Sequence, residues 1–164
     1  MPVRKIHVEQ IISAVENLCI RSNIELPDDV RKALDEALEK ETSPLGKEIL
    51  QDIIKNTEIA KEKYIPICQD TGFAVFFLKL GQDVHIVGGN LYDAINEGVR
   101  RGYTNGYLRK SIVDDPFLVR KNTKDNTPAI IHTEIVPGDK LTITLAPKGG
   151  GSENMSALRM LKPS

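Results

Sequence analysis

Cysteine is scarce in this chain of 164 residues: there are 2, Cys19 and Cys68, far apart in the sequence. That is too few for a disulfide scaffold and fits a reducing compartment. Charge imbalance is missing as well. The 22 Lys and Arg are met by 23 Asp and Glu, a formal net charge of −1. A nucleic-acid binder would show a basic footprint, so that class is excluded. No apolar run approaches the roughly 20 residues that cross a bilayer. The start, Met1-Pro2-Val3-Arg4-Lys5, lacks an apolar signal core and leads straight into an amphipathic pattern. This reads as no export and a cytoplasmic location. His7, His85 and His132 have no metal-ligand spacing. Internal repeats and low-complexity segments are absent.

What is present is the composition of an ordinary folded domain, 40% apolar and 27% charged. The length fits one domain. Such a chain hides roughly 70% of its unfolded surface on folding. Residues 1–63 read as a helical segment. Val8, Ile11, Ile12, Val15, Leu18 and Cys19 form one stripe at helical spacing, and Val30, Leu34, Ala37 and Leu38 a second. Pro27 with Asp28 and Asp29 opens the second helix. A third begins at Ser43-Pro44, where Ser caps and Pro takes the first helical position. Its stripe is Leu45, Ile49, Leu50, Ile53 and Ile54.

The pattern changes at residue 64. Phe73 to Leu80 is apolar on both alternating faces and reads as a strand buried on both sides. Gly81-Gln82-Asp83 is a turn, Val84–Val87 a second strand, and Leu91 to about Arg101 a helix ended by Gly102. Residues 103–127 read as loop. Two late strands, Ala129–Val136 and Leu141–Ala146, are joined by the turn-forming Pro137-Gly138-Asp139-Lys140. Helices first and a mixed sheet afterwards, over 64–164, make the class α+β. Ala157 to Leu161 has a helical look but only one or two turns of it, which suggests a chain cut within a larger protein.

Three stretches could carry chemistry. In Pro66-Ile67-Cys68-Gln69-Asp70-Thr71-Gly72 a thiol, an amide and a carboxylate share a loop before a strand. A thiolate can ligate metal, and an amide with a carboxylate can orient a ligand or move a proton. The plain alternative is a buried small Cys followed by a turn. In Lys148-Gly149-Gly150-Gly151-Ser152 the glycines let the backbone approach a ligand and form an anion-binding nest; alternatively they are a flexible turn. No Gly-Lys-Ser/Thr follows, so this is not a phosphate-binding loop. In Leu108-Arg109-Lys110-Ser111 the arginine can clamp a carboxylate or simply sit in solvent. Cys19 lies on an apolar stripe and reads as core. Arg100 and Arg101 read as surface, and His85 and His132 as strand residues.

In order and approximate spacing, the Cys-Gln-Asp-Thr-Gly stretch, the Leu-Arg-Lys-Ser stretch and Lys-Gly-Gly-Gly-Ser-Glu-Asn over 148–154 resemble the class I iron–sulfur fumarases and L-tartrate dehydratases, in the N-terminal region of the alpha-type subunit. The resemblance covers most of the chain. It implies a hydro-lyase that adds or removes water across the C2–C3 bond of a four-carbon dicarboxylate, with fumarate to L-malate preferred over tartrate. It implies a [4Fe–4S] cluster held by three cysteines, with an open iron acting as a Lewis acid. Cys68 would be one ligand. Gln69 and Asp70 would be catalytic and touch the substrate or its leaving hydroxyl. Arg109 would hold one carboxylate, and the loop Gly149, Gly150 and Gly151 another. A beta-type subunit or domain would supply the base and further basic residues. No cysteine follows Cys68, so this chain alone should bind no intact cluster and be inactive. Surface left open by missing parts should drive self-association, as a homodimer. The non-enzymatic alternative is an assembly module.

Overall fold

A computed structural model describes residues 3–151 and 155–162. The first element is a strand, β1 (Arg4–His7), where a helical start was expected. Its partner lies far along the chain: β1 pairs in parallel with β3 (Val84–Val87), register Arg4 to Val84 through His7 to Val87. His7 then caps α1 (Val8–Ile24). Its ring nitrogen Nδ1 accepts from Glu9 N–H while the Gln10 side chain accepts from His7 N–H, a reciprocal box that starts the helix.

α2 (Asp28–Lys40) and α3 (Pro44–Lys63) form a hairpin. Ser43 caps α3 by accepting from Gly46 N–H, and Pro44 opens it, as the local signals predict. The stripes are less buried than expected. α2 has no fully buried residue, and on α3 burial is limited to Ile54, Thr57 and Ala60. α2 packs on α3, and α3 also touches α1.

The expected strand is β2 (Phe73–Gly81). It is the middle of a mixed sheet, parallel to β6 (Ile130–Val136) and antiparallel to β7 (Leu141–Lys148). The two late strands therefore flank β2 rather than each other. Residues 137–140 cross over its end, where Gly81 N–H donates to Lys140 O and Asp83 N–H to Gly138 O. A side chain at Gly81 would meet the Gly138 carbonyl at 2.2 Å.

Burial of β2 on both sides is not what the structure has. Ala74, Phe76 and Leu78 are buried, while Phe73 is 41% and Phe77 50% exposed. The helices lie on one face only. α1 and α4 (Leu91–Asn105) pack there, with Val15, Cys19, Ile95, Val99 and Tyr103 forming the core against Phe76 and Leu78. The open face carries Phe77 stacked on His132 of β6, ring centroids 5.2 Å apart.

Gly102 does not end α4, which runs three residues further. The glycine lies against α1, where a Cβ would come within 2.7 Å of Cys19 Cβ. The same holds at Gly98 against Val15, at 2.6 Å. These two glycines let the helix backbones approach. Within the expected loop, β4 (Val113–Asp114) and β5 (Lys121–Asn122) form a small hairpin. Residues 156–162 are not helical. Their apolar side chains, such as Leu158 and Leu161, are exposed. Without an apolar surface beneath them, so few residues do not hold a helix.

Candidate functional site

The loop 66–72 leaves the C-terminus of α3, where Tyr64 takes the left-handed conformation at φ 55°. It is held from below. Ile67 N–H donates to Asn23 O, and Asn56 Nδ2 donates to Ile67 O. The Thr71 hydroxyl accepts from Arg109 N–H at 2.9 Å and donates to Arg109 O at 3.2 Å. Tyr103 donates its hydroxyl to the carbonyls of Thr71 and Gly72, at 2.9 and 3.1 Å. Burial pushes the Tyr103 phenol up, so it remains a donor at neutral pH. Asn126, fully buried, donates to Gly72 O and accepts from the amides of Ser111 and Ile112.

This anchoring turns the side chains outward. Cys68 is exposed, which rules out the buried-core reading of its thiol. Asp70 N–H points at Cys68 Sγ, 3.4 Å away. Gln69 is exposed beside it. The Asp70 carboxylate accepts from Gly72 N–H at 3.2 Å through Oδ1 and from Gly150 N–H at 3.1 Å through Oδ2. Cys19 behaves as expected: it is buried in α1, and burial pushes its thiol up to about 12.

Asp70, Gly72, Phe73, Arg109, Ser111 and Gly150 line one cleft of about 200 Å³. Larger grooves exist, such as one of about 490 Å³ beside α1 and α2. Volume does not single out this cleft. Its set of polar groups does: a carboxylate, a guanidinium and a backbone amide from three distant stretches. Of the expected residues, Asp70, Arg109 and Gly150 meet here. Gly149 lies beside Asp70: a Cβ there would stand 3.1 Å from Oδ2. Gly151 faces open space. Cys68 and Gln69 stand next to the cleft rather than in its lining. Ser152, Glu153 and Asn154 lie outside the described residues. Arg100 and Arg101 are paired with Glu97 on the helix surface.

The residues that hold the site were not foreseen: Asn23, Asn56, Tyr103 and Asn126. Only Asn126 left a trace in the sequence, as one of the polar turn residues before Thr127-Pro128.

An iron–sulfur cluster needs several thiolates. This chain offers Cys68 and a buried, protonated Cys19. Among the described residues no three His, Cys, Asp or Glu side chains stand close enough to share a metal ion. An intact cluster does not fit on these residues alone, and Cys68 can supply one ligand.

The fold is α+β, and its cleft brings a carboxylate, a guanidinium and a backbone amide together. A family model described as "Fumarate hydratase (Fumerase)" matches residues 12–164. The chain belongs to that family, one of hydro-lyases. It is 40% identical over 163 residues to a protein of Methanocaldococcus jannaschii named "Putative L(+)-tartrate dehydratase subunit alpha", covering 94% of this chain and 56% of that one. It is 29% identical over 159 residues to an Escherichia coli "L(+)-tartrate dehydratase subunit alpha", covering 96% and 52%. The chain thus spans about half the length of these relatives.

Proposed function

We propose that this chain carries one wall of a site that hydrates fumarate to L-malate, reversibly, in an assembled hydro-lyase of the cytoplasm. The observation that carries the reading is the meeting of Asp70, Arg109 and Gly150 around one cleft, with the exposed Cys68 two residues from Asp70. A dicarboxylate is a dianion and calls for a guanidinium and oriented amides. Arg109 takes one carboxylate. The Gly149–Gly151 loop takes the other, through Gly150 N–H. That same N–H now donates to Asp70, so an arriving carboxylate releases Asp70 Oδ2. The freed carboxylate, with the Gln69 amide, is then able to hold a proton at the hydroxyl that is added or lost. Cys68 offers one thiolate to a [4Fe–4S] cluster, the others coming from outside these residues.

Tartrate is the second reading, and the names of the relatives favour it. Those names also support a beta-type partner. The open face of the β6-β2-β7 sheet, with Phe73, Phe77 and Ile130 exposed, supports a contact there or a homodimer.

The test is activity of the complex of this alpha-type protein with a beta-type partner, assembled anaerobically, on fumarate and on L-tartrate. Arg109→Ala should raise KM by on the order of tenfold to a hundredfold, the loss of a charged hydrogen-bonded pair. Asp70→Asn should lower kcat. Wild-type kinetics from both variants would overturn the reading. Iron and sulfide reconstitution of the 164-residue chain alone should leave no stable brown protein; about four irons per chain would overturn the claim that its thiols are insufficient.

A further inference from the structure

Asp70 and Arg109 are 39 residues apart in the sequence, and neither side chain reaches across to the other's backbone. What joins the stretches is buried beneath them. Thr71 binds both main-chain groups of Arg109. Asn126 does more, because it binds both stretches through one side chain. Its Nδ2 donates to Gly72 O at 3.1 Å, two residues after Asp70. Its Oδ1 accepts from Ser111 N–H at 2.8 Å and Ile112 N–H at 3.2 Å, two and three residues after Arg109.

The residue is 0% exposed, and its backbone stands at φ 61°. Asparagine enters that left-handed region more readily than most residues, and its amide has both a donor and an acceptor end. Aspartate would lack the donor, and glycine would lack both ends. The position thus requires a side chain that tolerates the backbone and bonds in both directions.

We propose that Asn126 is the positioning residue of the cleft, holding the Arg109–Ser111 wall at a fixed span from the Asp70 wall. Its importance for catalysis rests on the reading of Asp70 and Arg109 as substrate contacts. The span itself does not. A cleft with one guanidinium and one carboxylate-bound amide accepts a ligand by the distance between its charged ends, so a residue that sets the width selects among dicarboxylates.

The experiment is amide hydrogen exchange, read by NMR on the 164-residue chain. Asn126→Gly removes the side chain while suiting the backbone angle. Ser111 and Ile112 should then exchange about tenfold faster, the equivalent of one hydrogen bond to a buried group. Val15 and Phe76, deep in the core, should not change. Asn126→Asp keeps the acceptor end and loses the donor. Ser111 and Ile112 should stay protected in it, while the Phe73 amide, in the same peptide group as Gly72 O, shifts as in the glycine variant. Splitting the two ends in this way separates positioning from general support. Unchanged exchange at Ser111 and Ile112, or acceleration equal to that of Val15 and Phe76, would overturn the proposal. These readouts need no turnover, so an assembled enzyme inactive on both acids would sink the substrate reading and leave this result standing.

Discussion

Two loops face each other across the cleft, and they are built in opposite ways. The loop 66–72 is tied down along its inner side by Asn23, Asn56, Thr71, Tyr103 and Asn126. The glycine loop 149–151 has one long-range hydrogen bond among the described residues, from Gly150 to Asp70, and a Cβ on Gly150 or Gly151 would meet nothing within 4 Å. One loop is fixed before any ligand arrives. The other is held to it by the Gly150 contact with the Asp70 carboxylate. On the proposed reading, a site built this way would pre-pay the ordering of the Asp70 loop and leave the glycine-loop amides to close on a ligand carboxylate.

The two loops touch at Gly72, and that is where the largest effect is expected. Its φ is +68°, and a Cβ would lie 2.4 Å from Lys148 C and 2.7 Å from Gly149 N, all backbone. Gly72→Ala should cost about 3 kcal/mol or more, since strain and overlap add. For a chain of this size that is a fall in Tm of roughly 6–12 °C. A smaller fall would mean that the glycine loop yields, which would sharpen the contrast.

On the anchored side, Tyr103→Phe keeps the ring in the core and removes the hydroxyl that serves two carbonyls. Gly72 O retains Asn126, whereas Thr71 O loses its side-chain donor. The cost should be about 1–3 kcal/mol in urea unfolding. A neutral result would show that the loop is less fixed than its bonds suggest.

Much of the frame was legible because its signals are local. Ser43-Pro44 starts a helix through its own hydroxyl and ring, and needs nothing distant. β1 was not legible. Arg4–His7 offers one buried residue, Ile6, and a strand that short is defined by a partner some 80 residues away. Gly102 was misread for a related reason. A glycine late in a helical run looks like a stop, and only the Cys19 side chain opposite explains why it lies inside. β2 has apolar residues on both faces, but sequence alone does not tell which face the helices cover. The site divides likewise. Cys68, Asp70, Arg109 and the glycines were visible as chemistry, whereas Asn126 in sequence is one more polar residue before a proline.

A pH test reaches the same anchor from outside. Burial opposes ionisation of Asp125, but the hydroxyl and N–H of Thr127 and the Arg100 guanidinium outweigh it and hold its carboxyl below the usual range. A carboxyl depressed by folding stabilises the protein above its unfolded pKa, about 3.9, and that contribution fades as pH falls through the folded value. Acid should therefore loosen the turn bearing Asn126. In Asp125→Asn the acid limb of the stability curve should be flatter, a modest change because the pair is partly solvated. An unaltered limb would mean that Asp125 does not govern the turn.

The smallest effect is expected on the open loop, and it completes the comparison. A Cβ on Gly150 would meet nothing within 4 Å. Gly150→Ala should change stability by no more than about 0.5 kcal/mol, as for other unconstrained surface positions. Its N–H is kept, so the bond to Asp70 can also be kept. Gly72→Ala and Gly150→Ala add the same methyl group on either side of one contact, and should differ by at least about 2 kcal/mol. If instead Gly150→Ala proves as costly as Gly72→Ala, the glycine loop is as constrained as its neighbour. An arriving carboxylate would then have to bind a rigid nest rather than displace Asp70 from a loose one.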